Sequence, residues 1–232
     1  MRTVLVTGSN RGIGLALVHQ LAAQGDVVFA TCRDPEGATE LRSLAHRYPE
    51  QVHMVSLDVT DAASIQRAFQ IIARMTPALD WLINNAGVLI EGETLATLDF
   101  DKMAYAFDVN TFGPFRVVQR FLPLLRGSKQ PLICQMTSIM GSISLTEGTG
   151  YYSYRGSKAA LNMMSKVLAA ELRPLGIPVV LMHPGWVRTR MGGPEAPLRP
   201  EDSARGILRV LSTVTLRDTG RFLTWEGKEL PW

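Results

Sequence analysis

Tyr154 and Lys158 stand four residues apart in the run Tyr151-Tyr152-Ser153-Tyr154-Arg155-Gly156-Ser157-Lys158. On a helix that spacing sets both side chains on one face. A phenol can exchange a proton with a reacting oxygen, but its ordinary pKa of about 10 is high for work near neutrality. A neighbouring ammonium favours the phenolate and draws that value down. The pair suits acid–base chemistry at an oxygen, such as protonating the alkoxide formed when hydride adds to a carbonyl. Three tyrosines crowd this run, and only Tyr154 has a lysine four residues on; Tyr151 reaches Arg155 and Tyr152 reaches Gly156. A planar guanidinium does not replace a compact ammonium. Tyr151, three residues before Tyr154, remains the competitor for that face.

A second group of residues suits phosphate. Thr7-Gly8-Ser9-Asn10-Arg11-Gly12-Ile13-Gly14 lies between a β-branched run and an amphipathic stretch. Gly8 allows the tight turn, Gly12 lets backbone approach a pyrophosphate, and Gly14 lets the helix pack on the strand. The N–H groups of Ser9, Asn10, Arg11, Ile13 and their neighbours then face the phosphates, aided by the helix dipole. Folds that select NAD place an acid at the end of the second strand. Here Cys32 fills that slot and Arg33 follows. Arg33, with Arg11 in reach, can fork onto a 2′-phosphate, which points to NADP(H). Asp34 is assigned instead to capping a helix that begins at Pro35.

These groups need elements to position them. Strands are expected at Val4–Val6, Val27–Thr31, His53–Leu57, Trp81–Ile83, Leu132–Met136, Val179–Met182 and Arg221–Trp225. Most are apolar on both faces, as in a buried parallel sheet. Helices are expected over about Gly12–Gln24, Pro35–Tyr48, Ala62–Met75, Asp99–Leu125, Tyr151–Leu172 and Pro200–Leu211. The alternation predicts one α/β domain over residues 1–232: a doubly wound, seven-stranded parallel sheet with helices on both faces. Arg190–Pro200, rich in glycine and proline, reads as a loop near the carboxyl edge, where ligands bind in such sheets.

The TGxxxGxG turn, Asn84-Asn85-Ala86-Gly87 after the fourth strand, YxxxK, and Pro184-Gly185 after the sixth strand together resemble the short-chain dehydrogenase/reductase family. The look is closest to its carbonyl-reductase and C-factor-like branch. The resemblance implies hydride transfer between NADP(H) and a carbonyl/alcohol pair, with a hydrophobic ketone, aldehyde or quinone as substrate. It implies roles for Ser138, whose hydroxyl would bind the substrate oxygen, and for Asn110, which would support Lys158. Thr137, Ser142 and Ser144 stay open as alternatives to Ser138. By the same resemblance Asp58 and Val59 flank the adenine, and Asn85, Ala86 and Gly87 line the cofactor. Lys158 also holds the nicotinamide ribose, Pro184 and Gly185 shape a turn, and Val187 and Thr189 hold the carboxamide. A binding or signalling protein with little turnover is the alternative. Family members commonly pair through the long helices, here Asp99–Leu125 and Tyr151–Leu172, so a homodimer is expected.

Composition agrees with a globular chain: 46% hydrophobic residues, 19% charged residues and a net charge of +3. No block of like charge suggests nucleic acid or an acidic membrane. No apolar run approaches the ~18 residues of a span, so a cytoplasmic protein is expected. Two cysteines, Cys32 and Cys134, and four separated histidines predict neither a disulfide scaffold nor a metal site. Leu89, Ile90, Met140, Ile143 and Trp186 are the expected substrate wall.

Overall fold

A computed structural model describes all 232 residues. The strands are β1 (Thr3–Thr7), β2 (Val27–Cys32), β3 (Val52–Ser56), β4 (Trp81–Asn84), β5 (Leu132–Met136), β6 (Val179–His183) and β7 (Phe222–Thr224). The helices are α1 (Gly12–Ala23), α2 (Thr39–Arg47), α3 (Ala62–Met75), α4 (Phe100–Phe107), α5 (Gly113–Arg126), α6 (Tyr152–Leu172) and α7 (Pro200–Leu211). The sheet is seven-stranded in the order β3-β2-β1-β4-β5-β6-β7. All its pairings are parallel. The order reverses between β1 and β4, which opens a crevice at their carboxyl ends.

Alternation along each strand builds two cores. Val4 and Val6 of β1 face Leu17 and Leu21 of α1 and Ile207 and Leu211 of α7. Leu5, between them, joins Phe29 and Leu82 against Ile72 of α3, Phe121 and Leu125 of α5, and Leu172 of α6. A strand buried on both faces must be apolar throughout, which is the pattern its sequence shows.

Three expected helices begin or run differently. The second begins at Thr39, not Pro35, because Asp34 accepts a hydrogen bond from the Gly37 amide at 3.0 Å and closes a separate turn. The expected helix Asp99–Leu125 is two helices joined by a π-turn over Asp108–Phe112. There Asn110 and Thr111 turn inward to bond other segments, and a single wider turn accommodates them. The last turn of Gly150 and Tyr151 is left-handed, with φ of 77° and 55°, so Tyr151 stands outside α6. The helical spacing that made Tyr151 a competitor for Tyr154's face therefore does not apply.

Phe121 is fully buried and meets Phe69 edge-on, with ring centroids 5.5 Å apart. Phe121→Ala is expected to lower unfolding stability by about 3–5 kcal/mol, measured by urea denaturation.

Candidate functional site

A cavity of about 600 Å³ lies at the switch point between β1 and β4. One end is walled by Gly8, Asn10, Arg11, Gly12, Ile13 and Gly14, and Tyr154 and Lys158 line the other. Gly8 adopts φ +68°, and a Cβ there would come within 2.9 Å of Ala86 Cα. A Cβ on Gly14 would collide with the Gly8 carbonyl. Thr7 clasps the two strand ends: its Oγ1 accepts from the amides of Asn85 and Ala86, each at 3.0 Å. The Asn85 side chain donates back to the Thr7 and Gly8 carbonyls at 2.9 and 3.1 Å. Helix α1 has no side-chain cap and no acid in its first turn, whereas Asp61 caps α3 and Asp99 caps α4. Its first N–H groups are left for an anion. Ser9 departs from expectation. It is fully buried, its amide donates to the Thr31 carbonyl and its hydroxyl to the Val6 carbonyl, so both donors are engaged within the sheet.

Beyond the turn the cavity wall carries three guanidiniums beside the carboxylates of Asp34 and Asp58. Arg11, Arg33 and Arg190 all line it. Burial, then the guanidiniums of Arg190 and Arg33, hold Arg11 below its ordinary pKa. Cys32 is buried at the end of β2, in the slot where an acid would stand. Asp58 and Val59 line the same end, and the Asp58 carboxylate also accepts from the Thr60 amide and hydroxyl at 2.8 and 2.7 Å. A glycine cradle, an uncapped helix and crowded guanidiniums fit a dinucleotide carrying an extra phosphate.

At the other end the Lys158 ammonium donates to the Met136 carbonyl at 2.8 Å and lies 5.8 Å from the Tyr154 ring centroid. Burial lowers the Lys158 pKa to about 8. Burial also raises the Tyr154 pKa, opposed by hydrogen bonding to Ser138. The downward shift expected from the ammonium does not appear: desolvation of the phenol raises the value, and the opposing contribution comes from Ser138. Ser138 opens a 3₁₀ turn, where its Oγ accepts from the Met140 amide at 3.1 Å. Thr137, and not Ser138, is among the residues lining the cavity, but the alternatives have polar groups bonded within the protein. Thr137 donates to Asn162 Oδ1 at 2.6 Å, Ser142 donates to the Pro231 carbonyl at 2.8 Å, and exposed Ser144 meets the tail through its amide. Neutral His183, its pKa pushed down to about 4 by burial, accepts from the Ile139 amide at 3.3 Å and braces the same turn. Asn110, in the π-turn, exchanges hydrogen bonds with the Val88 main chain at 2.8 and 2.9 Å and donates to Ser157 Oγ at 3.0 Å.

The segment after β6 is placed in parts. Pro184 and Thr189 line the cavity, and Thr189 lies against Gly12, where a Cβ would meet its Cγ2 at 3.1 Å. Gly185, at φ +89°, is pressed against Leu198 and Trp225. Val187 is buried and bridges to Leu198, so both residues shape the turn from behind the cavity wall. Of the expected apolar wall, Leu89 lines the cavity. Ile143 and Trp186 instead stand in solvent, with the Trp186 indole N–H donating to the Gly192 carbonyl at 2.8 Å. Ile90 and Met140 also lie outside the cavity lining.

Several site residues carried no sequence signal. Asn162 joins Thr137 to the Gly141 carbonyl, and a Cβ on Gly141 would strike the Lys158 main chain at 2.8 Å. Buried Glu93 accepts from the Ser153 amide at 3.0 Å and from the Ser153 hydroxyl, capping α6 one residue before Tyr154. It comes from a loop some sixty positions earlier, so no local pattern could reveal it. Glu93→Ala leaves those donors unpaired and is expected to destabilise the fold by about 1–3 kcal/mol in a denaturant titration. Glu93→Gln, which keeps one acceptor, is expected to lose less.

The family model for short chain dehydrogenase matches residues 2–198. NADPH-bound carbonyl reductase from chicken fatty liver superposes with a TM-score of 0.94 at 40% identity, covering 100% of this chain and 99% of that one. The carbonyl reductase Sniffer of D. melanogaster gives a TM-score of 0.95 at 32% identity, with both chains covered fully. The C-signal protein of Myxococcus xanthus is 45% identical over 157 residues, 68% of this chain and 95% of that protein. The chain belongs to the short-chain dehydrogenase family.

Proposed function

We propose that this protein is an NADP(H)-dependent carbonyl reductase of small, hydrophobic ketones, aldehydes or quinones. The observation that carries this reading is the juxtaposition, in one cavity, of a phosphate cradle with three guanidiniums and a buried Tyr154–Lys158 pair. The NADP(H) carried by the chicken and other carbonyl reductases supports it. The cofactor, when bound, supplies hydride to the carbonyl carbon. Ser138 hydrogen-bonds the carbonyl oxygen and Tyr154 gives that oxygen its phenolic proton. Lys158 holds positive charge beside the phenol and binds ribose hydroxyls, while Asn110 holds Val88 and Ser157 so that the lysine's surroundings stay fixed.

No helix is long and apolar enough to cross a membrane, and a cytoplasmic location belongs to this reading. So does a homodimer, with the exposed Met163 and Val167 of α6 among the apolar residues available for pairing. A second reading, a signalling protein with little turnover, is favoured by the similarity to the C-signal protein. Decay of NADPH absorbance with a panel of quinones, ketones and aldehydes separates the two, because the second reading predicts no substrate-dependent decay.

Tyr154→Phe should leave NADPH binding and folding nearly intact and remove most turnover, while Tyr151→Phe should change substrate affinity at most. Near-normal turnover of Tyr154→Phe on a good substrate would show the proton donor to be another group. Arg33→Ala should weaken NADPH binding and narrow its advantage over NADH. An equal preference for NADH in the unmodified protein, measured by kcat/KM, would contradict the cofactor assignment.

A further inference from the structure

Arg190 is one of the three guanidiniums of the cavity, but no particular phosphate is matched to it above. It belongs to the turn after β6, on the nicotinamide side of the cavity, yet it lines the same space as Arg11 of the glycine turn. The turn is rigidly built. The Gly192 amide donates to Thr189 Oγ1 at 3.1 Å, and the Gly193 amide donates to the Thr189 carbonyl at 2.9 Å. A Cβ on Gly192 would collide with the Val187 carbonyl. Thr189, held in this way, packs on Gly12. The next residue is therefore delivered to the phosphate turn by main-chain geometry. Its exposed side chain makes no hydrogen bond within the chain, and no carboxylate lies within ion-pair distance of Arg190, Arg11 or Arg33.

Three unpaired guanidiniums facing one cavity repel one another unless an anion joins them. Arg11 registers the field of Arg190 ahead of that of Arg33. Arg33, at the end of β2, is placed for the ribose 2′-phosphate, as proposed above. The anion over Gly12 is instead the diphosphate that both NADPH and NADH carry.

We propose that Arg190 is a diphosphate clamp, reaching the cofactor from the turn after β6 that packs on Gly12. The inference rests on the dinucleotide reading of the cavity, but it concerns a different phosphate from the one Arg33 would read. A cation–phosphate hydrogen bond is charge-assisted and fades with added salt.

The test is the dissociation constant of NADPH and of NADH, measured by calorimetry for the unmodified protein and for R190Q, R190K and R33A at low and high salt. R190Q is expected to weaken both cofactors by a similar factor, on the order of tenfold at low salt. The gap to the unmodified protein should shrink at high salt, and R190K should recover part of the loss. R33A should instead weaken NADPH selectively. Unchanged affinity for both cofactors in R190Q would overturn the clamp, and so would a loss confined to NADPH, which would make Arg190 a second 2′-phosphate ligand. If the unmodified protein binds neither cofactor, the dinucleotide reading itself fails. R190Q and R190K should melt with the unmodified protein, since the Arg190 side chain bonds to nothing in the protein; an R190Q that melts early without losing affinity also counts against the clamp.

Discussion

The ammonium of Lys158 sits at the floor of the cavity with the Met136 carbonyl as its hydrogen-bond acceptor in the protein. Removing an ammonium from water is unfavourable by several kcal/mol unless good partners replace the lost hydration. Here the replacements are main-chain dipoles and close packing, not a carboxylate. Gly87 leaves room beside the nitrogen, since a Cβ there would lie 3.8 Å from Nζ and 3.2 Å from Asn110 Oδ1. Gly141 allows the turn after β5 to lie directly on the Lys158 main chain. The outcome is a lysine whose charge is held only weakly, with a pKa near 8, and a tyrosine that the same dryness keeps protonated. A proton donor beside a loosely held positive charge is what reduction of a carbonyl asks of a protein.

The end of β4 joins that floor to the phosphate cradle. Thr7 ties Asn85 and Ala86 to the first strand, and Asn110 ties Val88 to Ser157 of α6. The segment from Asn85 to Val88 thus touches both ends of the cavity. Glycines appear where these segments crowd: Gly8 against Ala86, Gly14 against Gly8, Gly87 against Asn110. A side chain at Gly8 would push the ends of β1 and β4 apart, one at Gly14 would break the phosphate turn, and one at Gly87 would crowd Asn110. Distances between reacting groups are set here by backbone contacts, which deform less readily than long side chains.

The charges divide along the same axis. The three guanidiniums gather where phosphate charge is expected, beside Asp34 and Asp58, while the reacting end holds the Lys158 ammonium and the Tyr154 hydroxyl. Anion binding and proton transfer therefore occupy separate electrostatic environments within one cavity.

Much of this was legible from residue order. Strands apolar on both faces, the glycine spacing and the pairing of Tyr154 with Lys158 are local patterns, and local patterns follow from backbone sterics and helical or pleated periodicity. Residue order alone specifies the parallel α/β architecture, the position of the phosphate turn, and a basic residue where an acid would select the other cofactor. The assembled fold sets what depends on residues distant in the chain. It broke the long helix at Asp108–Phe112 because Asn110 and Thr111 bond to α6. It took Tyr151 out of the helix and supplied Glu93 as the cap of α6. It occupied Thr137 and Ser142 with Asn162 and the carboxyl-terminal tail, and it carried Arg190 across to the glycine turn. Each of these rests on a hydrogen bond, a steric contact or a charge between segments that no periodicity relates, so only the assembled sheet could set them.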